Sequence, residues 1–291
     1  MTFNLQSVLR VLATGVLAAV AIFLGYSLWV HYMYSPWTRD GRVRAEVVSI
    51  AADVSGLVSR VAVRDNRHVR RGDLLFVIDQ ARFRQALAQA QAQVQARKAE
   101  LDMRHQQAAR RRNLESSVVS VESREDVSAQ EKQAQANYQS SLAALDTAKL
   151  NLERSEVRSP VDGYVTNLNL FAGDYVSAGV ARMALIDEHS YWVYGYFEET
   201  KLANVHVGAK VEVRLMSGGA PLKGHVESIA RGIADRDNPT GASLLADVNP
   251  VFTWIRLAQR IPVRIHLDED PGDLRLAMGT TCTVTVLPEA P

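Results

Sequence analysis

The sequence is poor in the residues that build covalent or metal-bound sites. It holds a single cysteine, Cys282, which excludes an intramolecular disulfide and any multi-cysteine metal site. In Thr281-Cys282-Thr283-Val284 the thiol alternates with β-forming residues and reads as a small strand residue. The seven histidines, His31, His68, His105, His189, His206, His225 and His266, include no pair at metal-ligand spacing. The six methionines are dispersed rather than gathered into a segment for soft metal ions. No G-x-S-x-G, P-loop or H-E-x-x-H occurs, so the common hydrolase, nucleotide and zinc-protease signatures are missing. The formal net charge of +1 removes the case for nucleic-acid binding by bulk electrostatics. Asp162-Gly163 and Gly173-Asp174 are turn chemistry. The expectation is a protein that is not an enzyme, with no catalytic, cofactor-binding or metal residues.

A second absence is local. From Gln80 to Ser155 there is no proline and no glycine in 76 residues. Small or apolar residues recur there at alternating steps of three and four: Phe83, Leu87, Ala90, Val94, Leu101 and Ala108, then Val127, Ala134, Tyr138, Leu142, Leu145, Ala148 and Leu152. This is the narrow stripe of two coiled-coil helices, each roughly 50 Å long at 1.5 Å per residue. They form an antiparallel hairpin whose turn lies near residues 114–120. Ser120 is a suitable N-cap for the second helix, with Glu122 and Glu125 in its first turn. The second helix ends before Ser159-Pro160, because a residue preceding proline avoids the α region.

Val11 to Val30 is an uncharged run of twenty residues, long enough to cross a bilayer core and bordered by Tyr26, Trp29, Tyr32, Tyr34 and Trp37. It reads as an uncleaved anchor. Arg10 lies on its N-terminal side without an acid, whereas Arg39 on the other side is balanced by Asp40, so the N-terminus is expected inside and the bulk of the chain outside.

Both flanks of the hairpin have β character, and they repeat. Gly56 and Gly163 are 107 residues apart, and at the same offset Val58 corresponds to Val165, Val61 to Leu168, Val63 to Leu170, Val69 to Val176 and Gly72 to Gly179. With one residue inserted, Ile78-Asp79 corresponds to Ile186-Asp187. Each half has too few strands to bury a core, so the two are expected to pack face to face as one β-sandwich interrupted by the hairpin. Gly56, Gly72, Gly163 and Gly179 are assigned as fold residues that allow tight turns. From Tyr191 onward, short alternating strands at 191–197, 207–215, 224–229, 261–267 and 280–287 point to a small antiparallel barrel. Residues 234–249 read as a surface loop.

These half-motifs, Val54 to Asp79 and Pro160 to Asp187, flank a helical hairpin behind one anchor and resemble the periplasmic adaptors, or membrane fusion proteins, of the haemolysin-secretion type. The halves are similar to biotinyl/lipoyl domains. Phe197, Glu199, Leu202, Val205 and Gly208 resemble the entry to the adaptor barrel. The run from Asn249 to Ile265 resembles the branch that includes the adaptors of p-hydroxybenzoic acid efflux pumps and, more distantly, adaptors of major-facilitator multidrug exporters. The resemblance implies an α+β chain: a cytoplasmic tail (1–10), a transmembrane anchor (11–30), a juxtamembrane segment with the first barrel strand (31–45), a lipoyl-like β-sandwich (46–79 and 157–188) split by the α-helical hairpin (80–155), and an antiparallel β-barrel (189–287). It also implies a partnership with an inner-membrane exporter and a TolC-like outer-membrane channel, self-association as a trimer or hexamer, and aromatic carboxylic acids as cargo. A major-facilitator multidrug exporter is the alternative partner. Docking to the channel would use an Arg, a Leu and a Ser at the tip: Arg110 or Arg111, Leu114 and Ser120. A lipoyl or biotin carrier is disfavoured, since Asp79-Gln80-Ala81-Arg82-Phe83 offers no acceptor lysine.

Overall fold

A computed structural model describes residues 5–113, 120–233, 258–269 and 276–287. The chain forms two compact units, residues 1–46 with 190–291, and residues 47–189. It enters through α1 (Leu5–Tyr34), in which Leu12–Trp29 is apolar and exposed throughout, the one helix among the described residues long and apolar enough to cross a membrane. Ser35 and Pro36 end the helix, and β1 (Trp37–Arg44) follows at once.

The second unit contains β2 (Val47–Ala51), β3 (Gly56–Val61), β4 (His68–Val69) and β5 (Leu74–Ile78), then the hairpin helices α2 (Ala81–Arg112) and α3 (Val121–Arg154). It continues with β6 (Glu156–Arg158), β7 (Gly163–Thr166), β8 (Tyr175–Val176) and β9 (Ala181–Asp187). The repeat does not pack as one half facing the other. One sheet has the order β2-β9-β7-β4 and its mate β6-β5-β3-β8, so each sheet draws strands from both halves. Under the 107-residue offset the two sheets exchange, with β2 corresponding to β6, β9 to β5, β7 to β3 and β4 to β8. The backbone hydrogen bonds obey the same exchange. Val58 N–H donates to the Asp174 carbonyl at 2.8 Å, and Val165 N–H to the Arg67 carbonyl at 3.0 Å. Gly72 N–H donates to the Ser159 carbonyl at 2.8 Å, and Gly179 N–H to the Ala52 carbonyl at 2.9 Å. Each half therefore satisfies the other's strand edges, and Leu75, Phe76, Ile78, Val165, Val176 and Leu185 are fully enclosed between them. Where β3 meets β5 the register shifts between Val58 and Arg60.

Two of the four glycines assigned to tight turns do something else. Gly72 (φ 91°) and Gly179 (φ 79°) do occupy the left-handed region. Gly56 and Gly163 instead begin β3 and β7 and are required by close approach. A Cβ at Gly56 would stand 2.6 Å from Ile78 Cγ2, and one at Gly163 would overlap the Ile186 carbonyl oxygen.

The hairpin seam is a true heptad. Val127, Ala134, Ser141 and Ala148 of α3 are buried at intervals of seven. The buried hydroxyl of Ser141 donates to the Tyr138 carbonyl at 2.7 Å. On α2 the half-buried positions continue through Arg97 and Arg104, where the apolar stripe of the sequence has gaps. Arg97 pairs with Glu100 at 2.8 Å, and Arg104 reaches across to Gln130 Oε1 at 2.8 Å. The second helix stops at Arg154 with Ser155 as its C-cap, at the expected end of the hairpin, and Glu156–Arg158 is taken up as β6 beside β5.

The first unit closes into a six-stranded barrel. After β10 (Trp192–Glu198) come a 3-10 helix (Glu199–Asn204), β11 (Lys210–Leu215), β12 (Leu222–Ile229), β13 (Arg260–Leu267) and β14 (Thr281–Val286). The order is β1-β10-β13-β12-β11-β14, antiparallel at every seam. Val43, Val193, Phe197, Val213, Val226, Val263, Ile265 and Val284 fill the interior. Cys282 is enclosed there opposite Gly41, where a Cβ would stand 2.5 Å from its sulfur. Burial pushes its thiol up to about 12. The surface loop expected at 234–249 lies outside the described residues.

Candidate functional site

The tip of the hairpin is framed by the end of α2 and the start of α3. Ser120 caps α3, its hydroxyl oxygen accepting from Ser123 N–H at 3.2 Å, and Glu122 lies in the first turn. Three arginines end α2, where cations suit the helix dipole. They have different neighbours. Arg111 donates to Ser123 Oγ at 3.0 Å, and Arg112 pairs with Glu131 at 2.8 Å, so both tie the two helices together. Among the described residues Arg110 contacts its own helix, through the Gln106 carbonyl at 3.3 Å, and its side chain is exposed. His105 joins the Glu131 cluster at 2.6 Å. Hydrogen bonding from His105 first, and the Arg112 charge beside it, hold the Glu131 carboxyl below the usual carboxylate range. Leu114 lies outside the described residues.

The base of the hairpin carries a clasp that the sequence pattern did not single out. Gln80, where a lipoyl-type turn would pass, donates to Ser155 Oγ at 3.0 Å and Glu156 Oε1 at 3.4 Å. Ile78 N–H donates to the Ser155 carbonyl at 2.8 Å, and Asp79 Oδ1 accepts from Ala81 N–H at 3.0 Å. Arg82 spans from the Phe83 ring, 4.7 Å from its guanidinium, to the Ser55 carbonyl, and Arg154 pairs with Asp53 at 3.2 Å. Hydrogen bonds from Arg158 and then Gln80 lower the Glu156 carboxyl. Together these contacts fix both helices to the sandwich strands. Such a site can set the direction of a rigid arm; it has no group arranged for bond making. Among the described residues, no cluster of three or more His, Cys, Asp or Glu is placed to hold a metal ion.

The second unit is thus a repeat-exchanged sandwich with an inserted helical arm, and the first closes a six-stranded barrel. Residues 46–188 match the barrel-sandwich hybrid domain of RND membrane fusion proteins, and residues 190–287 match the AAEA-like beta-barrel domain. The chain belongs to the membrane fusion protein family, whose members are non-enzymatic adaptor subunits. It is 43% identical over 278 residues to the uncharacterized protein YdhJ of Escherichia coli (strain K12), covering 96% of this chain and 98% of that one. In fold it is similar to the membrane fusion protein Spr0693 from Streptococcus pneumoniae R6, with a TM-score of 0.63 and 18% identity over 87% of this chain and 99% of that one. MacA from Actinobacillus actinomycetemcomitans gives a TM-score of 0.60 at 20% identity, over 87% of this chain and 79% of that one. The periplasmic adaptor protein EmrA gives 0.52 at 19% identity, over 88% and 99%.

Proposed function

We propose that this chain is the periplasmic adaptor of a tripartite efflux pump, anchored in the inner membrane by α1 with its N-terminus in the cytoplasm. It links an inner-membrane exporter to a TolC-like outer-membrane channel, and copies assemble as a trimer or hexamer into the conduit. The observation that carries this reading is the hairpin. Helices of 32 and 34 residues give an arm of roughly 50 Å, inserted where a carrier domain would display its lysine and clamped at the base. An arm so fixed spans a distance instead of swinging a cofactor. The docking set is Arg110, Leu114 and Ser120. Arg110 is preferred to Arg111 because, among the described residues, Arg111 is tied to Ser123 of the facing helix and Arg110 bonds its own helix. Aromatic carboxylic acids are the proposed cargo, on the C-terminal run from Asn249 to Ile265 and the AAEA-like barrel match.

The test is a crosslink in intact cells from Ser117→Cys. Cys282 can stay in place, since its enclosed thiol does not compete. An outer-membrane channel protein should be captured, and Arg110→Glu should cut the yield by about tenfold while Arg111→Glu mainly loosens the hairpin. Capture of no outer-membrane protein would sink the docking reading.

A further inference from the structure

Where α1 ends, the barrel unit carries an open pocket of about 340 Å³. Met33 of α1, Trp37, Arg39 and Asp40 of β1, Lys201 of the 3-10 helix and Arg260 of β13 line it. α1 packs against that same 3-10 helix. The Trp37 ring is flanked by two cations, the Arg39 guanidinium at 5.7 Å and Lys201 Nζ at 5.1 Å. The charges are not balanced. Lys201, only 9% exposed, pairs with Glu198 at 3.4 Å, and Arg260 pairs with Asp40. Arg39 has no carboxylate at ion-pair distance among the described residues, and its side chain is exposed. Three cations against two carboxylates leave one positive charge, beside an indole.

The depth of this pocket says what anion would reach it. The apolar span stops at Trp29 and α1 runs on to Tyr34, five residues and about 7.5 Å further at 1.5 Å per residue. The headgroup layer on each side of a bilayer is about 5–8 Å thick. The start of β1 is therefore at headgroup level, where indoles and basic residues settle. A guanidinium presents a planar fork that fits a phosphodiester, and a nearly buried ammonium adds a point charge. We infer that this pocket holds the phosphate of an anionic glycerophospholipid, with Arg39 as the main donor, Lys201 beside it and Trp37 as the interfacial platform. Occupancy would fix the barrel rim against the membrane surface and so set the angle at which the anchor enters the barrel.

The inference rests on α1 lying in the bilayer, which carbonate extraction of membranes reads separately: a chain released by carbonate fails that reading whatever lipid it prefers. The direct test is native mass spectrometry of the full chain in detergent doped with equal phosphatidylglycerol and phosphatidylcholine. The wild type should retain phosphatidylglycerol about fivefold over phosphatidylcholine, the preference expected of one basic residue at the surface. Arg39→Gln should bring the ratio near one, and Arg39→Lys should restore part of it. Arg42→Gln, about 10 Å along the same strand, should leave it unchanged. Equal retention by the wild type, or a preference that survives Arg39→Gln, overturns the assignment. So does displacement of the lipid by millimolar inorganic phosphate, which would make the pocket a site for free phosphate.

Discussion

A methyl group at Gly163 has no room, because its Cβ would fall on the backbone oxygen of Ile186 rather than on a side chain that can rotate away. Gly163→Ala should cost about 1–3 kcal/mol and Gly163→Val more, read as a lowered urea midpoint at unchanged slope. A wild-type midpoint for Gly163→Val would overturn the close-approach account. Gly72 was equally visible in the repeat, yet its reason differs, and a sequence does not separate close approach from a left-handed turn. One clue was available. Asn66 (φ 61°) stands 107 residues before Gly173 (φ 97°), and Asn is the non-glycine residue that most readily takes that conformation. The tip arginines show the same limit. Arg110, Arg111 and Arg112 are indistinguishable as letters, and only the positions of Ser123 and Glu131 on the facing helix tell them apart.

Among the elements, the hairpin was the most legible, since freedom from glycine and proline and a seven-residue rhythm survive any tertiary context. Its polar layers were not. Arg104 looks like a solvated position until Gln130 of the facing helix supplies a partner, and Arg97 is half-buried beside Glu100 of its own helix. Strand β6 was hidden for another reason: three residues directly after a long helix carry no period of their own, and only the exchange with β2 under the repeat discloses it. The cross-hairpin cluster of His105, Arg112 and Glu131 makes the arm acid-sensitive. The Glu131 carboxyl titrates lower in the folded chain than in the unfolded one. Its contribution to stability is therefore present above the ordinary carboxylate range, near pH 4.3, and is lost as pH falls through the depressed value. Helical melts of the wild type and Glu131→Gln should differ at pH 6, and the gap should narrow as pH falls below the ordinary carboxylate range. A gap that does not narrow on acidification would mean that packing, not the charge, is what Glu131 supplies.

For the whole molecule, the alternating strands of the sequence showed a barrel near the C-terminus, and only the family resemblance placed its first strand, within 31–45. Closure depends on β1, which lies between β10 and β14 although the whole second unit separates it from them in the chain. Its register is set by Gly41 opposite Cys282 and by Val43 in the interior, single residues with no period to read. A chain starting at Ser35 should keep the barrel and leave the thiol of Cys282 unreactive in native buffer. A chain starting at Val47 loses β1, and Cys282 should then label at the rate of a free thiol. Protection of Cys282 in the shorter chain would show that the barrel closes without β1.

The same strand imposes a timetable on folding. β1 ends at Arg44 and its neighbour β10 starts at Trp192, so at 5–20 residues per second β1 waits roughly 7–30 s for its first partner. The sandwich and hairpin are complete before then and can fold while β1 is still single. A lone strand held beside a membrane for that time is at risk of pairing with the wrong chain. Arg39, Asp40, Arg42 and Arg44 put charge on half of its eight residues, and Val43 is its single large inward aliphatic. The composition that makes β1 a poor strand in isolation is what lets it remain unpaired until its proper neighbours have been made.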